Sequence, residues 1–311
     1  MTYMGKDNGK INATFKSKDT EEWLDVVFTR KVGYVIALLC EKLRVHPNTV
    51  TIISIFLGVS AGLCLLEDNM TRTLCGIGLL MTANFLDSAD GQLARMTGQQ
   101  SRLGRLLDGL SGDAWFIAIY LCICFRLAGT PMPFCDGRLW NFSCIFALAA
   151  VSGLLFHVRQ AALADYYRNA YLLFHGDASE LCVGRELAME RRQLTWKKDW
   201  PWKIGLFFYG NYTRVQELMT PCFQKLRSVL KEKYADEIPA GTGERFCSST
   251  FHLLKWTNIL TFNTRAIVLY ITLLAGMPWL YFIFEMTVME LIFIYMRRSH
   301  EKACRSIAEE I

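Results

Sequence analysis

Apolar residues along this chain gather into long, almost uncharged runs that are separated by short polar segments. About 20 apolar residues at 1.5 Å per residue are enough for a helix to cross the hydrocarbon core of a membrane. We expect six such helices, at about 49–66, 72–94, 101–125, 142–164, 262–276 and 278–296. The pattern therefore predicts an all-α integral membrane protein, a multi-pass bundle of six transmembrane helices.

The segments around these runs give the expected domain organisation. Residues 1–20 are polar and predict a loosely held N-terminal tail, whereas 21–45 mix apolar and charged positions. That mixture is typical of an amphipathic helix lying in the membrane interface, with a short additional span as the alternative. We expect 46–164 to form a catalytic core with spans one to four, 261–298 to hold spans five and six, and 299–311 to be a polar C-terminal tail.

Residues 165–260 interrupt the succession of apolar runs, because they are rich in charge. Tryptophan and lysine residues cluster around 196–203, and both residue types favour the head-group level of a membrane. The sequence therefore predicts a surface insert. Lysine and arginine are concentrated in the N-terminal segment, near 95–105 and in the insert, so that side is expected to face the cytoplasm.

The overall composition adds two constraints. The chain is 52% hydrophobic with a formal charge of +5, a balance that suits a membrane surface and does not indicate nucleic acid as a partner. Its 11 cysteines are scattered without a metal-binding spacing, so neither a zinc motif nor a disulfide scaffold is expected.

Four carboxylates near the second and third spans need an explanation. Asp87 and Asp90 are three residues apart and share a helix face, and Asp108 and Asp113 follow on the next helix. Unpaired carboxylates are costly at membrane depth, and oxygen ligands suit a hard cation such as Mg²⁺. The sequence predicts a metal site between two helices at the cytoplasmic side. Helix caps or salt bridges to Arg95 are the structural alternative.

The spacing of these residues resembles the signature of the CDP-alcohol phosphotransferases, D-x2-D-G-x2-A-R-x8-G-x3-D-x3-D. The matching residues are Asp87, Asp90, Gly91, Ala94, Arg95, Gly104 and Asp108. The final aspartate of the signature would fall at Gly112, whereas this chain has Asp113. Since five residues on a regular helix turn through about 140° beyond a full turn, we predict a one-residue π-bulge over 109–112 that returns Asp113 to the metal face.

The resemblance implies an enzyme of phospholipid synthesis that moves a substituted phosphate from a CDP-alcohol, with CDP-diacylglycerol expected, to an alcohol and releases CMP. It implies two divalent ions, Mg²⁺ or Mn²⁺, held by Asp87, Asp90, Asp108 and Asp113. It also gives Asp113 the role of the base that takes the proton of the acceptor hydroxyl. The implied partners are a CDP-linked lipid donor, a small polar alcohol acceptor and membrane lipids, with a homodimer as one option for assembly.

The residues expected to bind the CDP group are Gly91, Ala94, Arg95, Gly104, Asn48 and Thr51. The small side chains leave room for a nucleotide, although the same residue types also serve close helix packing. Arg95 suits a phosphate, with a solvated arginine at the membrane edge as the alternative. Asn48 and Thr51 resemble a P-N-x-x-T element that precedes the first span in this family, but helix capping explains them equally well.

Three arginines are the candidate acceptor ligands: Arg159, Arg168 and Arg265. Arginine binds phosphate in a bidentate manner, so they favour a phosphorylated polyol such as inositol phosphate or glycerol phosphate. Snorkelling of these side chains to the interface is the alternative. Three other functions stay open at this point: a choline- or ethanolamine-type phosphotransferase acting on diacylglycerol, a cation transporter, and a non-catalytic scaffold.

Overall fold

A computed structural model describes residues 20, 22–133, 135, 137–177, 181–235 and 237–311, without the side chains of residues 102, 105, 106 and 201. The predicted N-terminal tail over 1–20 lies, except for residue 20, outside the described residues. Contacts divide the chain into two units. The first contains 22–155 and 262–286, and the second contains 156–261 and 287–311.

The described residues are almost entirely helical. In chain order the helices are α1 (Arg30–Lys42), α2 (Pro47–Cys64), α3 (Met70–Thr97), α4 (Arg102–Leu127), α5 (Phe142–Ala150), α6 (Val158–His175), α7 (Gly184–Gln193), α8 (Trp196–Met219), α9 (Pro221–Tyr234), α10 (Ala240–Thr250), α11 (Leu254–Ile259), α12 (Phe262–Leu274), α13 (Trp279–Phe284) and α14 (Glu290–Glu310). Wider π-helical turns cover Asp25–Thr29, Val151–His157 and Glu285–Met289, and a 3-10 turn covers Phe251–Leu253.

Helix α2 is the centre of the first unit, because both α3 and α4 pack against it. Glycines make this close packing possible. A Cβ atom on Gly58 would lie 2.1 Å from the Trp115 ring, and one on Gly62 would lie 2.9 Å from the backbone of Ala118. Trp115 is only 1% exposed, so the ring fills the space that the missing side chain leaves. The glycines therefore bring α4 against α2.

The connection from α3 to α4 is short and capped at both ends. Gly98 ends α3 in the left-handed region, with φ +67°, where glycine has no steric penalty. The Ser101 side chain then accepts a hydrogen bond of 2.9 Å from the N–H of Gly104 and begins α4. The two helices that carry the aspartates are thus joined by only a few residues.

A buried ionic network joins α4, α12, α13 and the two π-helical turns that contain Ser152 and Glu285. Arg265 and Glu285, 1% and 0% exposed, are joined by a hydrogen bond of 2.5 Å between Nη1 and Oε1. The hydroxyl of Tyr281 donates to Oε1 at 2.7 Å, Ser152 donates to Oε2 at 2.7 Å, and Tyr120 also donates to Oε2. Each carboxylate oxygen is therefore satisfied, as a charge buried in a low-dielectric interior requires.

The second unit has its own aromatic core. Phe174 stacks on Phe246 with ring centroids 3.9 Å apart, and Tyr166 meets Phe223 edge to face. In the same unit, Glu290 accepts hydrogen bonds from Arg159 at 3.2 Å and from Gln160 at 2.9 Å. The Arg159 guanidinium also lies over the Phe156 and Phe293 rings.

Five helical segments in the described part of the chain are long and apolar enough to cross a membrane. They cover Pro47–Cys64, Leu107–Leu127, Phe142–His175, Ala240–Leu274 and Trp279–Glu310. The all-α membrane class is thereby confirmed. Helix α3, the predicted second span, is not among them; it carries Asp87 and Asp90. The count of six spans, the interfacial position of α1 and the predicted domain boundaries stay predictions.

The Arg265–Glu285 pair provides a test of this packing. We expect Arg265→Met to lower the free energy of unfolding by about 3–5 kcal/mol, because it leaves the Glu285 carboxylate buried without a counter-charge. Arg265→Met combined with Glu285→Gln should recover most of the loss, since glutamine keeps an acceptor for the hydroxyls. The measurement is reversible unfolding of the purified protein in detergent.

A surface ion pair serves as the matched control. Arg72 and Glu67 are joined at 2.6 Å, but their side chains are 53% and 60% exposed. Arg72→Met should therefore cost no more than about 1 kcal/mol. Wild-type stability of the single variant Arg265→Met would contradict the structural role of the buried pair.

Candidate metal and nucleotide site

Three carboxylates from two helices converge at the predicted metal site. Asp87 and Asp90 project from α3 and Asp108 from α4, and one oxygen of each lies within 4.8 Å of the others. Asp90 is 4% exposed, Asp87 is half-buried and Asp108 is exposed. Like charges at this separation repel strongly where water is scarce, so the arrangement favours a bound cation.

Two buried hydroxyls orient these carboxylates. Thr51 of α2 donates a hydrogen bond to Oδ2 of Asp90, and Ser111 of α4 lies with its hydroxyl 2.7 Å from Oδ1 of Asp87. Both hydroxyl residues are at most 2% exposed. Such second-layer hydrogen bonds fix the rotamers of metal-binding carboxylates. Three neighbouring helices therefore contribute to one polar cluster.

The predicted nucleotide residues lie around this cluster. A Cβ atom on Gly104 would lie 2.9 Å from Oδ1 of Asn48, so α4 begins directly beside that amide. A Cβ atom on Gly91 would lie 3.5 Å from the guanidinium nitrogens of Arg95. The structure thus brings Asn48 to Gly104 and Thr51 to Asp90, and places the Arg95 guanidinium beside Gly91. Binding of CDP by these residues and by Ala94, which is half-buried, stays a prediction.

The predicted π-bulge in α4 is absent, and that prediction is wrong. Helix α4 is a continuous α-helix over Arg102–Leu127. The regular helix places the Ser111 hydroxyl against Asp87 and the Trp115 ring in the core. An extra residue in the preceding turn would rotate both of these side chains away from their positions. Asp113 is exposed and lies outside the group of three carboxylates. Its roles as a metal ligand and as a base stay predictions. They no longer have the support of a π-bulge that would turn Asp113 toward the metal face.

Sequence reasoning missed two contacts at this site. Ser111 was not singled out, although a serine three residues after Asp108 on an apolar helix was a usable signal. Gln92 is completely buried, and its side-chain amide donates to the backbone oxygen of Arg30 at 3.1 Å and lies 3.2 Å from the Ser88 hydroxyl. This glutamine fixes the start of α1 beside the aspartate helix.

The three candidate acceptor arginines have partners within the protein. Arg265 pairs with Glu285, Arg159 with Glu290, and the guanidinium of Arg168 donates to Oδ1 of Asn258 at 3.1 Å. Arg265 belongs to the first unit, as the aspartates do, whereas Arg159 and Arg168 belong to the second. Acceptor binding by these arginines stays a prediction.

The comparison with protein families agrees with the site. Residues 44–172 match the model of the CDP-alcohol phosphatidyltransferase family. Over these residues the chain is similar to that family. The match includes α2, α3 and α4, and therefore every residue of the polar cluster. The family resemblance expected from the aspartate spacing is confirmed.

One curated relative is similar to about half of this chain. A protein of Mycobacterium leprae (strain TN), described as CDP-diacylglycerol--serine O-phosphatidyltransferase, is 29% identical over 154 residues. The alignment covers 48% of this chain and 48% of that protein. The chain therefore spans about half the length of this relative.

The cluster can be tested by direct metal binding. We expect Mn²⁺ to bind the purified protein, and we expect Asp108→Asn to weaken this binding at least about tenfold, or about 1.4 kcal/mol, through loss of one charged oxygen ligand. Titration followed by electron paramagnetic resonance of free Mn²⁺ measures the change. Asp108 is exposed, so its replacement should leave the fold intact.

Glu67→Gln is the control variant, since Glu67 lies in the turn between α2 and α3 and pairs with Arg72. It should bind Mn²⁺ as the wild type does. An Asp108→Asn variant that binds Mn²⁺ with unchanged affinity would rule out the cluster as the metal site.

Proposed function

We propose that this protein transfers a phosphatidyl group from CDP-diacylglycerol to the hydroxyl of a small alcohol and releases CMP. In this reaction the acceptor oxygen forms a bond to phosphorus, the bond from phosphorus to the CMP oxygen breaks, and the acceptor proton passes to a base. The convergence of Asp87, Asp90 and Asp108 carries the proposal. The family match over 44–172 and the described activity of the mycobacterial relative support it.

Divalent metal is the expected cofactor. Asp87, Asp90 and Asp108 would hold Mg²⁺ or Mn²⁺, because three carboxylates within 4.8 Å form an oxygen-rich donor set of the kind hard cations prefer. The bound ion would supply charge neutralisation on the pyrophosphate and on the departing CMP. Thr51 and Ser111 would keep the Asp90 and Asp87 carboxylates in a ligating orientation.

The remaining residues of the site would bind and position the donor. The Arg95 guanidinium, which lies beside Gly91, would contact a phosphate, since arginine can bind phosphate in a bidentate manner. Asn48 and Gly104, where α2 meets the start of α4, would contact the cytidine. Lysine and arginine are concentrated on the side of the chain where α3 ends and α4 begins, which supports an active site facing the cytoplasm.

The acceptor is better explained as a hydroxyl compound without a phosphate. The expectation of inositol phosphate or glycerol phosphate rested on the three arginines, two of which pair with glutamates. The mycobacterial relative is described as acting on serine. We therefore place serine first among the acceptors and keep the two polyol phosphates as the alternatives.

Release of labelled CMP from CDP-diacylglycerol tests the reaction. We expect turnover with Mg²⁺ or Mn²⁺, none after exhaustive chelation, and a loss of about 10²-fold or more in Asp90→Asn, because a buried metal ligand would be removed. The assay compares three acceptors of the phosphatidyl group: serine, inositol phosphate and glycerol phosphate. A separate reaction offers CDP-choline as the donor and diacylglycerol as the acceptor. Glu67→Gln, outside the cluster, should keep normal turnover, and normal turnover of chelated enzyme would disprove the proposal.

A second candidate is a protein that binds the CDP-lipid without transferring its phosphatidyl group. The specific observation in its favour is that Gly112 occupies the position of the last signature aspartate on a regular helix, whereas Asp113 is exposed outside the cluster. On such a helix, position 112 lies about 40° from Asp108 and position 113 about 140°. A Cβ atom on Gly112 would meet open space, so a carboxylate fits there.

Moving the carboxylate by one residue separates the two candidates. If Asp113 is the base, Asp113→Asn lowers CMP release by about 10²–10⁴-fold, the usual contribution of a general base. We expect that loss, and we expect the pair Gly112→Asp with Asp113→Asn to restore turnover. Unchanged release in Asp113→Asn would remove this residue from the mechanism. The second candidate would be established if the wild-type protein binds CDP-diacylglycerol without releasing CMP and the Gly112→Asp variant does release CMP.

A further inference from the structure

Helix α8 of the second unit carries an apolar stripe on its outer face. The exposed members of the stripe are Trp200, Ile204, Phe207, Phe208, Val215 and Leu218. At 100° per residue these positions fall within an arc of about 100°, so they lie on one side of the helix, together with the exposed Asn211. The helical geometry is interrupted only at Asp199, just before the stripe begins.

The opposite face of α8 is fixed to its own unit. Leu206, Thr213 and Gln216 are at most 4% exposed, and the Gln216 side chain donates to the backbone oxygen of Ala162 at 2.8 Å. The helix therefore cannot turn its stripe inward without breaking a buried hydrogen bond. The outward direction of the apolar residues is a fixed property of this unit.

Basic groups surround the stripe. Lys197 and Lys198 are exposed at the start of α8, and Arg214 is exposed farther along. Lys203 lies with its ammonium 5.0 Å from the centre of the Trp196 ring. The Arg191 guanidinium of α7 lies 5.3 Å from the centre of the Phe207 ring. An apolar surface with positive charge at its margins is complementary to a membrane with anionic head groups.

We propose that α8 lies in the interface of the bilayer that contains the spans, with its stripe at the acyl boundary and its basic margin on anionic lipid head groups. The helix is long, but it is not among the segments apolar enough to cross a membrane. A large apolar face combined with charged residues is the pattern of helices that lie on a membrane.

A second copy of the chain is a poorer occupant of the stripe. Two stripes packed face to face would bring Arg214, Lys197 and Lys198 of both copies to one interface, and like charges there oppose association. Anionic lipids remove that repulsion. The proposal does not depend on the reaction, because α8 lies outside the residues that match the family.

Photo-crosslinking of the full-length protein tests this position. The photoreactive amino acid benzoylphenylalanine is placed at Phe208 or Leu218, and in a matched control at Lys225, an exposed polar position on α9. The protein is reconstituted in nanodiscs of phosphatidylcholine and phosphatidylglycerol. We expect lipid adducts, detected by mass spectrometry, at least tenfold more abundant at 208 and 218 than at 225.

The charge contribution has its own variant. Lys197→Glu with Lys198→Glu should lower the share of phosphatidylglycerol among the adducts at position 208 severalfold while phosphatidylcholine adducts persist. Both lysines are exposed, so helical content by circular dichroism should not change. Equal adducts at 208, 218 and 225, covalent dimers in place of lipid adducts, or an unchanged lipid ratio in the charge variant would overturn the proposal.

Discussion

The mutual repulsion of three carboxylates is the constraint around which the first unit is built. Asp87, Asp90 and Asp108 stay within 4.8 Å because α3 and α4 pack on the same helix, α2. Gly58 allows α4 to come close, and the hydroxyl of Thr51 reaches Asp90 from α2 itself. The small residues and the polar cluster are therefore parts of one arrangement. Without the close packing, the three carboxylates would lie farther apart and could no longer share one cation.

The sequence was sufficient for the parts of this site that depend on local geometry. Asp87 and Asp90 share a face because they are three residues apart, and a connection of a few residues brings Asp108 opposite them. The placement of Asn48 and Thr51 needed the structure, since capping explained them equally well. Contacts between distant segments, such as Gln92 with the backbone of Arg30, were beyond sequence reasoning, because they depend on how each helix is rotated against its neighbour.

The contrast between the predicted and the observed π-helical turns has a physical explanation. A wide turn was predicted where two glycines flank Ser111, yet α4 is regular there. Of the three wide turns in the described residues, Val151–His157 and Glu285–Met289 contain Ser152 and Glu285 of the buried ionic network, whereas Asp25–Thr29 lies outside it. Glycine permits a wide turn but does not stabilise one. The hydrogen bonds of the buried Glu285 carboxylate can stabilise the two turns that hold Ser152 and Glu285, because an unsatisfied charge would cost far more than a distorted helix.

The uneven burial of the carboxylates has a kinetic consequence. Asp90 is almost fully enclosed whereas Asp108 is open to solvent, so a cation held by the three carboxylates would face solvent on one side and the helices on the other. Mg²⁺ gives up its water molecules reluctantly, and an ion that first meets Asp108 would keep most of its hydration shell. Because Asp108 is open to solvent, an ion could enter and leave from that side without any opening of the helix bundle.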